Sequence, residues 1–211
     1  MKSLNWIHAP LHEFIPERIH VVTAVTRDAA PLFRGQHRLR LLRDLLLLSL
    51  NEQGWEPRAW ACLNNHYHVL ALAPENAQVE RLIRGLHRKL DKAVTRLDGP
   101  QTESSMDKQW SACIPSADRY HALLHEVMQD PVRHGQVSYA ESYPYSSAGW
   151  FLKTQASEFQ EQVSTHAVER LEDPGLNFRP VPQPLKRVVP LHDPGSAAET
   201  HQSSPLAYQS S

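Results

Sequence analysis

Two apolar segments stand almost back to back in this chain: "EPRAWACLN" (56–64) and "HYHVLALAP" (66–74). Asn64 and Asn65 between them suit a tight turn, so the pair reads as two strands of a hairpin. A strand with one wet face alternates apolar and polar residues, whereas these two are apolar on both faces. They therefore belong in the middle of a sheet, which helices should cover on one side.

The flanking sequence supplies those partners. "RIHVVTAVTRD" (18–28) is β-branched and roughly alternating, and reads as a strand ending near Arg27. "GQHRLRLLRDLLLLSLNEQG" (35–54) places Leu39, Leu42, Leu46 and Leu50 at helical spacing, with Gly54 as a C-terminal stop. In "ENAQVERLIRGLHRKLDKAVTRLDG" (75–99) the residues Val79, Leu82, Leu86, Leu90, Ala93 and Leu97 line one helical face. A strand through "QWSACI" follows the polar loop 100–108, and "SADRYHALLHEVMQ" (116–129) reads as a helix N-capped by Ser116. Pro131 is expected to keep that helix from continuing far. The order β-α-β-β-α-β-α predicts an α+β fold with a mainly antiparallel sheet. From about residue 155 the apolar pattern decays into Pro, Ser and Gln, which predicts a mostly disordered tail.

Composition narrows the function classes. The 211 residues carry a formal net charge of -1, which excludes a uniformly basic nucleic-acid coat but allows one basic face. Two cysteines, Cys62 and Cys113, are too few and too distant for a disulfide framework or a cysteine zinc site, so a cytoplasmic compartment is expected. "MKSLNWIHAP" has no apolar core of a signal peptide, and "LLRDLLLLSL" is too short to span a bilayer. No membrane partner is expected.

Residues two apart on a strand point the same way, so His66 and His68 present adjacent imidazoles from one face. That geometry suits two ligands of one divalent cation. It equally suits a half-buried histidine pair, and in a chain with 13 histidines an isolated His-x-His favours the second reading.

Context adds to the pair. The hairpin with His66-Tyr67-His68, the later "DPVRHGQV" (130–137) and "SYPYSSAGWF" (142–151) together resemble the REP-associated tyrosine transposases, a branch of the single-tyrosine HUH transposases. The resemblance runs from about residue 15 to 152. It implies a ferredoxin-like antiparallel sheet with helices on one face, and a transposase-like domain over residues 1–154 ahead of a tail over 155–211. It also implies binding of hairpin or single-stranded DNA, a divalent metal ion (Mg²⁺ or Mn²⁺) on His66 and His68, and a tyrosine that attacks the scissile phosphate. Asp130 stands where the family has an Asn that often serves as third ligand, and a carboxylate suits the same hard cations.

At the position implied for the tyrosine, four residues before Asp130, stands Glu126. Glutamate cannot form a phosphotyrosine link. Tyr120 projects with Leu123, Leu124 and Val127, as expected of a core residue. Tyr139, Tyr143 and Tyr145 fall in a segment expected to pack structurally. Glu126 and Asp130 share one helical face, so a site of two imidazoles and two carboxylates is one expectation, with Glu126 as the catalytic base of a metal-dependent hydrolase. A DNA-binding role without catalysis is the other. His121 and His125 are expected at the surface.

Arg81, Arg84, Arg88, Lys92 and Arg96 fall together on the face of their helix opposite the leucines. Such a one-signed stripe fits phosphate contact better than scattered surface charge. Arg133 and His134 beside the metal position are expected to hold a backbone phosphate, and Arg34, His37 and Arg38 are candidates to extend the basic face. A homodimer is compatible with the family resemblance.

Overall fold

The computed structural model describes residues 11–100 and 102–166. Its elements are β1 (Ile19–Thr26), α1 (Gln36–Glu52), β2 (Glu56–Cys62), β3 (His66–Leu72), α2 (Val79–Asp98), β4 (Met106–Cys113), α3 (Ala117–Arg133), α4 (Ala148–Thr154) and α5 (Ser157–Ser164). The sheet has the order β2-β3-β1-β4 and each neighbouring pair is antiparallel. A β-α-β-β-α-β path through that order is the ferredoxin-like arrangement.

β1 and β3 form the middle of the sheet and are buried along nearly their whole length. Their alternating side chains divide the core. Val22, Ala24, Tyr67 and Val69 pack against the leucines of α1 and α2 on one face. Ile19, Val21, Leu70 and Leu72 pack against α3, α4 and α5 on the other. The expectation of helices on one face therefore holds for α1 and α2 of the ferredoxin-like unit, while the later helices cover the second face. Strands apolar on both sides require that second layer, because buried apolar area is stabilising at about 25 cal/mol per Å² only if something covers it.

Helix ends follow local chemistry. After α1, Gly54 (φ 72) donates its N–H to Asn51 and Trp55 donates to Leu50, a Schellman closure around a left-handed glycine. Ser116 caps α3 by accepting from the Arg119 N–H at 3.3 Å. α3 passes through Pro131 but, as expected, does not continue far, ending at Arg133. Near the end of a helix Pro removes a single hydrogen bond, and the stop is set instead by Gly135 (φ 63), with Gln136 N–H donating to the Pro131 carbonyl and Gly135 N–H to Val132.

Three further expectations change. α2 begins at Val79 rather than Glu75, and its inner face is completed by Ile83 and Val94, while Leu97 is exposed. His121 is buried, because α5 brings Phe159 and His166 against it. The tail expected from residue 155 begins with α5, which buries Phe159 and Val163 against α3. Residues 167–211, the rest of that expected tail, lie outside the described residues. Among the described residues no helix is long and apolar enough to cross a membrane.

Candidate metal and nucleic-acid site

β3 opens with His66 and His68, whose rings leave the sheet on the α3 face beside Leu70 and Leu72. α3 crosses that face and delivers Asp130. His66 Nε2 lies 3.1 Å from Asp130 Oδ2, and His68 Nε2 lies 3.7 Å from the same oxygen. One ligand atom from each of the three residues falls within 4.8 Å of the others, and all three residues are buried.

The protonation pattern of this group follows from its neighbours. Asn65 donates its side-chain N–H to the Ala29 carbonyl at 3.1 Å, which fixes the amide so that Oδ1 faces His66 Nδ1 at 2.8 Å. An amide oxygen only accepts, so His66 Nδ1 carries the hydrogen and Nε2 is a lone pair. That lone pair points at a carboxylate oxygen. His68 Nδ1 pairs with the Thr23 hydroxyl at 2.7 Å, leaving its Nε2 toward the same oxygen.

Burial holds both imidazoles in the neutral form, against the pull of Asp130; the His68 value is pushed down to about 3. Burial alone would raise the Asp130 carboxyl, but its polar surroundings, including the hydrogen bond from His134, outweigh burial and hold it well below the usual carboxylate range. The acceptor nitrogen of His66, the Nε2 of His68 and an anionic oxygen thus converge in a buried space. Acceptors aimed at one another repel unless a cation lies between them. Imidazole and carboxylate donors in this arrangement fit a divalent ion.

No protein-family model matches the chain, and no curated protein matches it. Among solved structures, a REP-associated tyrosine transposase bound to a REP hairpin superposes with a TM-score of 0.54 and 19% identity, over 67% of this chain and 83% of that one. The chain has the fold of that transposase. A protein assigned as a transposase from Deinococcus radiodurans R1 superposes with a TM-score of 0.40 and 12% identity, over 51% of this chain and 85% of that one.

Within this transposase-like fold the remaining candidates take different places. Glu126 is 1% exposed, and its Oε1 accepts from Arg133 Nη1 at 3.1 Å. It is not a member of the His66–His68–Asp130 group. The expected pair of carboxylates is therefore split: Asp130 faces the imidazoles and Glu126 faces a guanidinium. Arg133 keeps a side chain 30% exposed while making that ion pair. Tyr120, Tyr143 and Tyr145 are buried as expected, with the hydroxyls of Tyr120 and Tyr143 donating to the carbonyls of Leu11 and Cys62. Tyr139, against the expectation of packing, is 68% exposed.

Arg81, Arg84, Arg88, Lys92 and Arg96 are all exposed along α2. α2 covers the sheet face opposite the metal group. The two nevertheless approach each other at one end of the sheet. His66 pairs with Val25 near the end of β1, and Thr26 pairs with Met106 at the start of β4. Asp91 in the second half of α2 accepts from the Ser105 N–H at 2.7 Å, so Lys92 and Arg96 lie toward this end and Arg81 toward the other. α1 starts at the same end, where Arg38 pairs with Asp98, and Arg34 and His37 are exposed.

Two residues of the site escape motif reading. Asn65 looks only like a turn residue, and Thr23 only like a β-branched strand residue. The signal for Thr23 is register: it sits opposite His68 in the β1–β3 ladder, so both side chains leave the same face.

Proposed function

We propose that this protein is a transposase-like, HUH-class DNA-binding protein that holds hairpin or single-stranded DNA beside a divalent cation on His66, His68 and Asp130. The reading is carried by the convergence of two imidazole nitrogens and one carboxylate oxygen on a single buried point. The family resemblance names Mg²⁺ or Mn²⁺ as the ion and residues 1–154 as the working domain, with a homodimer and a cytoplasmic setting compatible with it. The ion, when bound, neutralises charge on a phosphate. Arg81, Arg84, Arg88, Lys92 and Arg96 give the backbone-positioning surface, and DNA that engages both the stripe and the ion passes over the end of the sheet where Lys92, Arg96 and His66 lie.

Strand transfer through a tyrosine is not part of this reading, since Glu126 occupies the implied position. Hydrolysis with Glu126 as base is the second reading. Its carboxylate is buried, which suits a base, but activating water would require Arg133 to release it. Incubation of the full chain with end-labelled hairpin oligonucleotides in Mn²⁺ separates the cases. Retarded but intact DNA is expected. Free cleaved ends would favour the Glu126 hydrolase, and a denaturant-stable protein–DNA adduct would contradict the reading of the tyrosines. No retardation at low salt would remove DNA as the partner.

A further inference from the structure

Asp130 gives its two oxygens to different partners. Oδ2 faces His66 and His68, while Oδ1 lies 3.1 Å from His134 Nε2. A carboxylate only accepts, so His134 carries its hydrogen on Nε2 and donates it. The sequence fixes His134 there. It is the C-cap of α3 (φ -92, ψ 11), one residue before the left-handed Gly135, and its backbone N–H donates to the Asp130 carbonyl at 3.0 Å. Its ring meets His66 nearly perpendicular, with centroids 5.2 Å apart. His134 is not among the ligand atoms that converge on one point.

A carboxylate can meet a cation with one oxygen or with both, and it turns easily about its last bond. A donor locked onto Oδ1 removes that freedom and leaves Oδ2 alone for the ion. We propose that His134 is a positioning residue: its Nε2–H holds the Asp130 carboxylate so that a single oxygen faces the cation held by His66 and His68. This rests on the metal reading above. Outer hydrogen bonds of this kind are worth about 10- to 100-fold in metal affinity.

Calorimetric titration of Mn²⁺ into the metal-stripped full chain, without DNA, tests it. Three variants are compared with wild type: His134→Ala, His134→Phe and His134→Gln. Thermal unfolding without metal shows that each is folded. Gln places an N–H donor near the position of Nε2, whereas Phe keeps the ring against His66 but donates nothing. The Gln variant should stay within about threefold of wild type, and the Ala and Phe variants should bind about 10- to 100-fold more weakly. A Phe variant that binds like wild type would reduce His134 to packing and overturn the proposal. A Gln variant as weak as Ala would do so too, since it would make the imidazole itself a ligand. Wild type that binds no Mn²⁺ overturns this proposal and the metal reading together, whatever the DNA experiments give.

Discussion

At the scale of single residues, the candidate site depends on which atoms hold hydrogens. Asn65 dictates the His66 tautomer through an amide anchored on Ala29, and that choice leaves Nε2 as a donor of electrons rather than of a proton. Replacing Asn65 with Ala should weaken Mn²⁺ binding about 10- to 100-fold while leaving the ligands in place. Calorimetry on the folded variant reads this, and unchanged affinity would mean that the ring needs no such orientation. Glu126 gives a second prediction. Removing one partner of a buried ion pair costs on the order of 3–5 kcal/mol, because the other charge is left uncompensated. Arg133 is partly exposed and can turn to water, so Glu126→Gln should cost less, about 1–2 kcal/mol in urea unfolding. Mn²⁺ affinity should not change, as Glu126 stands outside the ligand group.

At the scale of elements, the end of α3 carries the site. The run Asp130-Pro131-Val132-Arg133-His134-Gly135 closes the helix on a left-handed glycine and turns His134 back over Asp130. A Cβ at Gly135 would meet no neighbour within 4 Å, so Gly135→Ala is strained by backbone conformation alone. The expected loss is about 1–2 kcal/mol, with weaker Mn²⁺ binding as the C-cap shifts. Full stability would show that the turn relaxes at no cost. This element also marks what the sequence makes legible. The interior hairpin and the succession of strands and helices follow from periodicity, while the ferredoxin-like sheet and the meeting of His66, His68 and Asp130 follow only from what the family resemblance implies. The last turn of α3, from Asp130 through Pro131 to Arg133, does not, because the glycine four residues after the proline sets the end. Nor do the second helical layer's α5, the split between Glu126 and Asp130, or the roles of Asn65 and Thr23. These depend on which surfaces meet across the sheet, and a one-dimensional pattern does not contain that.

At the scale of the whole molecule, charge and protonation both set measurable behaviour. The stripe on α2 and the metal group lie on opposite faces and share one end of the sheet. Each phosphate contact removed should lower the salt dependence of DNA binding by about one unit of slope. Lys92→Ala with Arg96→Ala should reduce metal-stimulated binding of single-stranded DNA more than Arg81→Ala does; equal losses in fluorescence anisotropy would contradict the path over that end. Acid should destabilise the fold. Burial pushes His87 from 6.5 down to about 4, and His68 from 6.5 down to about 3. The unfolded chain therefore binds protons that the folded one refuses, so the stability present above pH 6.5 is lost as pH falls through that window. Asp130, with its carboxyl held low, acts in the same direction below about pH 4. Urea midpoints measured from pH 8 to pH 4 should fall below 6.5, and a flat profile would contradict neutral buried imidazoles. The cation itself is tested by thermal unfolding of the full chain with Mn²⁺. An ion that binds only the folded state at about 100 times its Kd adds roughly 2.7 kcal/mol, or a rise of about 5–10 °C in Tm. That rise is expected in wild type and should vanish when His66 and His68 are both replaced by Ala; identical melting with and without Mn²⁺ in wild type would contradict a metal between the imidazoles and Asp130.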